Sequence, residues 1–90
     1  MKAGKFEGHK SAAARITENN GNYALISYST TVAELSRDGW LTIHMLYSRT
    51  TIKHIGWFMR ELNSNYQFAK QLFMDGYQYN INTGEYRPVG

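Results

Sequence analysis

The sequence predicts an α+β domain: a three- to four-stranded antiparallel sheet, two C-terminal helices packed on one of its faces, and a tyrosine-rich tail. Three observations carry this expectation. The first half of the chain is rich in β-branched and aromatic residues and is cut by Asn-Gly and Asp-Gly, dipeptides suited to tight turns. Residues 47–62, YSRTTIKHIGWFMREL, repeat apolar side chains at helical spacing. A second helical stretch with its own start and stop signals follows at once.

Taken in order, residues 1–11 place Lys2, Lys5, His9 and Lys10 around a lone Phe6. They read as a flexible basic arm, with an edge strand around Phe6 as its only structure. Ala12, Ala14 and Ile16 then alternate with Ala13, Arg15 and Thr17 as a strand does. Asn19-Asn20-Gly21-Asn22 turns that strand into the next. Residues 23–35, YALISYSTTVAEL, put Ala24, Ile26, Tyr28 and Val32 on one face and Tyr23, Leu25 and Ser27 on the other. Leu35 breaks the alternation, which predicts either one long strand bent near Ser29-Thr30 or two short ones. Ser36-Arg37-Asp38-Gly39 is a turn. In the following strand Leu41, Ile43, Met45 and Tyr47 form an apolar face, and Trp40, Thr42, His44 and Leu46 a mixed one.

The first helix organises the rest. Ile52, Ile55, Phe58, Met59 and Leu62 share an arc of about 120°, the width a helix buries against a sheet. Thr50 is the expected N-cap and Asn63 the stop, since Asn tolerates a left-handed conformation. Ser64 and Gln67 have capping-box spacing for a second helix, with Tyr66, Ala69, Leu72 and Phe73 as its stripe and Gly76 as its end. The tail, residues 77–90, alternates Tyr77, Tyr79 and Ile81, turns at Asn82-Thr83-Gly84, and resumes at Tyr86. It is a small hairpin or an extended strand on the body, with Pro88 confined to an edge or an end.

Composition narrows the function classes. Ninety residues make a single domain, 1–90, with 42% hydrophobic and 19% charged residues, which is globular and not disordered. The absence of cysteine excludes disulfides, thiolate zinc sites and a thiol nucleophile. Aromatics reach 14%, with seven tyrosines, and supply buried area that a small core needs. A net charge of +3 permits nucleic-acid contact without the dense basic patch that marks it, and is ordinary for solubility. No apolar run approaches the roughly 20 residues of a membrane span. The N-terminus lacks the apolar stretch of a signal peptide, so a cytoplasmic protein is expected.

Chemistry is thin along the chain. His9, His44 and His54 have no ligand-spaced partners, so no metal site is expected and the histidines read as surface or half-buried. No carboxylate pair, phosphate loop or nucleophile elbow is present, which predicts a non-enzyme without cofactors. Ser48, Thr50 and Thr51, beside Arg49 and Lys53, can offer hydroxyls and backbone N–H groups to an anion at the helix start; plain N-capping explains the threonines equally. Lys53 in a first turn opposes the helix dipole. Trp57 lies off the apolar stripe between Lys53 and Arg60. It is covered by the tail or second helix through the small Gly56, or it is an interface anchor. Arg49, Lys53, Trp57 and Arg60 are therefore the expected partner-binding surface.

Two stretches carry a family resemblance. Ser27, Tyr28, Thr30, Val32 and Ala33 match S-Y-x-T-x-V-A. Tyr47, Ser48, Thr50, Thr51, Lys53, His54 and Ile55 match Y-S-x-T-T-x-K/R-H-I. Their pairing resembles a family of small uncharacterised proteins encoded by bacteriophages and mobile elements of Gram-positive bacteria. The resemblance implies a phage protein acting in the cytoplasm of an infected or lysogenic host. By analogy of origin and size, such a protein binds and inhibits a host protein or protein–nucleic-acid complex, a CRISPR nuclease among the candidates. The alternative expectation is a small nucleic-acid-binding accessory protein.

Overall fold

Tight turns set the architecture. In the computed structural model, which describes residues 4–5, 14–46 and 49–89, Asn20 and Gly21 take φ of 54° and 86°. Two positive values in a two-residue loop match the twist of the strands they join. That hairpin links β2 (Ala14–Asn19) to β3 (Asn22–Ser27), and Gly4–Lys5, β1, pairs on the outer side of β2. The chain continues through β4 (Thr30–Leu35) and β5 (Trp40–Ile43). It leaves the sheet for α1 (Arg49–Glu61) and α2 (Tyr66–Asp75), and returns as β6 (Tyr77–Asn80) and β7 (Tyr86–Pro88). All strands lie in one antiparallel sheet in the order β1 to β7.

The fold is α+β, but the expected sheet of three to four strands is corrected. The sheet has seven strands among the described residues, the first only two residues long. Two causes account for the difference. Residues 23–35 are two strands, because Tyr28 and Ser29 close a hairpin between Ser27 and Thr30. The tail is a hairpin whose first strand pairs with β5, Leu41 opposite Tyr79. The helices are thus an excursion between two neighbouring strands and not the C-terminal end. Phe6 and residues 8–13 of the expected arm and first strand lie outside the described residues, as does Tyr47.

Register decides what is buried. On one face run two cross-strand rows, Ile16–Leu25–Ala33–Ile43 and Tyr23–Leu35–Leu41–Tyr79–Tyr86. Leu25, Ala33, Leu35, Leu41 and Ile43 are buried there with Ile55, Phe58 and Met59 of α1 and Ala69 and Leu72 of α2. Burying each of the larger side chains contributes about 1.5–3 kcal/mol. The bend sits at Val32 and not at Ser29-Thr30. Leu25 faces Ala33 while Ile26 faces Thr31, so Val32 is an extra residue in β4, and both Val32 and Ala33 are buried. The opposite face is mixed, with Ala24, Ile26 and Trp40 beside a polar row through Thr42, Gln78 and Arg87. Gln78 Nε2 donates to Thr42 Oγ1 (2.7 Å), Arg87 Nε donates to Gln78 Oε1 (2.6 Å), and the Arg87 guanidinium lies 3.9 Å from the Trp40 ring centroid.

Helix ends follow local chemistry. Asn63 takes φ 58°, and Ser64 N–H donates to Met59 O at 2.8 Å, closing α1 with a left-handed cap. This use of Ser64 shifts the next cap by one residue: Asn65 Oδ1, not Ser64, accepts from Phe68 N–H (3.1 Å). Gly76 ends α2 at φ 74°, donating to Leu72 O and Phe73 O. In the α2 stripe Ala69 and Leu72 are buried, whereas Phe73 is exposed. Phe68 takes its place, meeting Tyr79 edge-on at 4.9 Å.

Candidate partner-binding surface

Alpha-helical geometry sorts α1 into two sides. The buried set is Thr51, His54, Ile55, Phe58 and Met59, a stripe turned toward Thr51 and His54 relative to the expected one. Ile52 and Leu62 are half-buried. Opposite this stripe, Arg49, Lys53, Gly56 and Arg60 fall within about 60° of one another, and the three cations are exposed. Trp57 borders them. It is half-buried and packed against the core, with Lys53 Nζ 5.4 Å from its ring centroid and the His54 ring at 5.2 Å. A cation at that distance over an indole is attracted by the ring's negative face. The four predicted contact residues therefore share one side of α1.

Of the three hydroxyls of the expected anion site, the structure describes only that of Thr51. α1 already begins at Arg49, so Thr50 lies inside the first turn and is not its N-cap. Thr51 is buried and presents no free hydroxyl to solvent. Ser48 and the Thr50 side chain lie outside the described residues.

Sequence reasoning missed a polar contact beneath the helix. His54 is only 2% exposed, and its Nδ1 shares a 2.7 Å hydrogen bond with Ser27 Oγ, also buried. Tyr28 lies beside it, ring centroids 6.1 Å apart, and is 64% exposed with φ 59°. His54 is thus neither a surface nor a half-buried histidine. The two stretches that carry the family resemblance meet here, Ser27 and Tyr28 from one and His54 from the other. The contact spans 27 residues and leaves no local pattern in the sequence.

A concavity of about 230 Å³ lies at the α1–α2 corner, lined among others by Leu41, Met59, Asn63, Ser64, Phe68 and Tyr79. Its lining contains no carboxylate, imidazole or cation, so it can shelter an apolar group but offers no acid–base pair. Among the described residues no three His, Cys, Asp or Glu converge as a metal site would require. No helix among them is long and apolar enough to cross a membrane.

Residues 3–76 match the Family of unknown function (DUF8033), and the chain belongs to that family. No curated protein and no solved structure matches it significantly.

Proposed function

We propose that this chain is a small, non-enzymatic protein of bacteriophage or mobile-element origin that binds and inhibits a host protein, with Arg49, Lys53, Trp57 and Arg60 as its contact surface. A CRISPR nuclease is the target to assay first. The observation that carries the reading is the cationic side of α1, exposed opposite the core and bordered by a half-buried tryptophan. Tryptophan and arginine are the residue types that concentrate binding energy at interfaces. The motif resemblance supports the origin, and the burial of Ser27 and His54 withholds that hydroxyl–imidazole pair from any substrate.

Direct nucleic-acid binding draws on the same cations. It is the weaker reading, because a base stacking on Trp57 competes with Lys53 and His54, which already pack on that ring. The test is inhibition of CRISPR interference in a bacterial host, followed by affinity for the captured nuclease. A folded Lys53→Ala/Trp57→Ala/Arg60→Ala variant is expected to lose inhibition, with Trp57→Ala alone removing about 2 kcal/mol of binding. Full inhibition by the triple variant would move the contact surface elsewhere. A binding constant that falls steeply with salt and needs only oligonucleotide would favour the second reading.

A further inference from the structure

Gly56 stands in the middle of α1, where glycine is the least favoured residue after proline. Two intramolecular reasons could justify it, and neither applies among the described residues. Its φ is not in the positive region, unlike Gly21, Gly39, Gly76 and Gly84. Beyond its own stretch of helix, a Cβ at Gly56 would meet no heavy atom within 4 Å among the described residues, so neither the tail nor α2 approaches it there. The residue weakens the helix without serving any packing among the described residues.

Its place on the wheel supplies a reason from outside. Gly56 lies on the same arc as Arg49, Lys53 and Arg60, between Lys53 and Arg60, which are about 10 Å apart along the axis. The first turn of α1 holds no acidic residue, and none lies on this arc. The helix thus offers a dent floored by bare backbone, with cations before and after it and Trp57 at its side. Missing side chains of this kind let a second backbone approach a helix closely.

We propose that Gly56 is the crossing point for an acidic segment of the partner protein, whose backbone seats against the bare helix while its carboxylates meet Lys53 and Arg60. The proposal rests on the contact surface assigned above and specifies the chemistry of what it takes. Charge complementarity selects an acidic chain. The engagement of the Trp57 ring by Lys53 and His54 favours a polypeptide over a stacking single strand.

The probe is short poly-L-glutamate, with oligothymidylate of similar length as the comparison, and the reporter is Trp57 emission in a Trp40→Phe background. Poly-L-glutamate is expected to perturb that emission, and Gly56→Leu to weaken its binding by about tenfold. Gly56→Ala and Gly56→Leu are expected to melt at or above the parent temperature, because either residue is a better helix former. Four results would overturn the proposal: no response to poly-L-glutamate, equal affinity in Gly56→Leu, tighter binding of oligothymidylate, or lowered melting of both glycine variants. The inhibition assay separates this proposal from the surface on which it rests. If Gly56→Leu still inhibits while the triple alanine variant does not, the cationic surface stands and the crossing point falls. If the triple variant inhibits fully, the surface itself is wrong.

Discussion

Tyr28 combines two properties that folding alone does not favour: a left-handed backbone, φ 59°, and a large side chain left 64% exposed. For a residue with a Cβ that conformation costs roughly 1–2 kcal/mol. Tyr28→Gly is therefore expected to raise stability by about 0.5 kcal/mol in a urea melt, once the greater entropy of unfolded glycine is subtracted. A marked fall in stability would show that the Tyr28 ring is held by more than its contact with His54. Ser27→Ala tests the layer below. It removes the hydroxyl from the buried His54 Nδ1, and the loss should be about 1–3 kcal/mol. The sequence singled out Ser27 and Tyr28 only as part of a motif, with no sign of the buried hydrogen bond or the left-handed backbone. The strand alternation put Tyr28 with Val32, but the two-residue hairpin and the extra residue at Val32 reset the register. Alternation already puts Ser27 on the face of Leu25, but no local pattern shows that His54, 27 residues on, lies above it.

At the scale of elements, α1 was legible as a helix because its apolar residues repeat regularly, and Ile55, Phe58 and Met59 are buried as that spacing requires. Its rotation was not legible, because Thr51 and His54 carry no apolar signal yet lie inside. Ile55→Ala and Phe58→Ala, each emptying a fully buried site, are expected to cost about 2–5 kcal/mol. A thermal melt unchanged in either would contradict the packing of α1 on β3 and β4. The start of α2 was misread by one residue for a local reason. Ser64 and Asn65 are both good N-caps, and only the bond from Ser64 N–H to Met59 O commits Ser64 to the end of α1. Asn65→Ala should accordingly lower stability by about 1 kcal/mol, whereas Ser64→Ala, which keeps that backbone bond, should change it by less than about half as much.

For the whole molecule the decisive question is whether the last strands are an appendage or part of the body. Hydrophobic spacing could not answer it, because Tyr77 and Tyr79 alternate equally well in a free hairpin and in a sheet. The pairing partner, β5, lies on the far side of two helices. The contacts that join the tail to the sheet are specific. Leu41 faces Tyr79 across the ladder, and Phe68 and Tyr86 pack on the Tyr79 ring at 4.9 and 5.0 Å. Buried Asn80 donates to Asp38 O and accepts from the Asn82 and Thr83 N–H groups, while Ile81 N–H donates to Gly39 O. The Asp38-Gly39 turn is thereby clamped to the turn after β6. Asn82 occupies the space a Cβ at Gly39 would need. Deleting residues 77–90 would strip β5 of its neighbour and open Leu41 and Phe68 to water. In so small a domain, with a stability of about 5–10 kcal/mol, that loss should abolish cooperative unfolding. The truncated chain is expected to bind a hydrophobic dye and to show no sharp urea transition, although α1 retains every residue of its proposed contact face. A cooperative melt at the parent's midpoint would instead make β6 and β7 a dispensable hairpin laid against a complete five-stranded sheet.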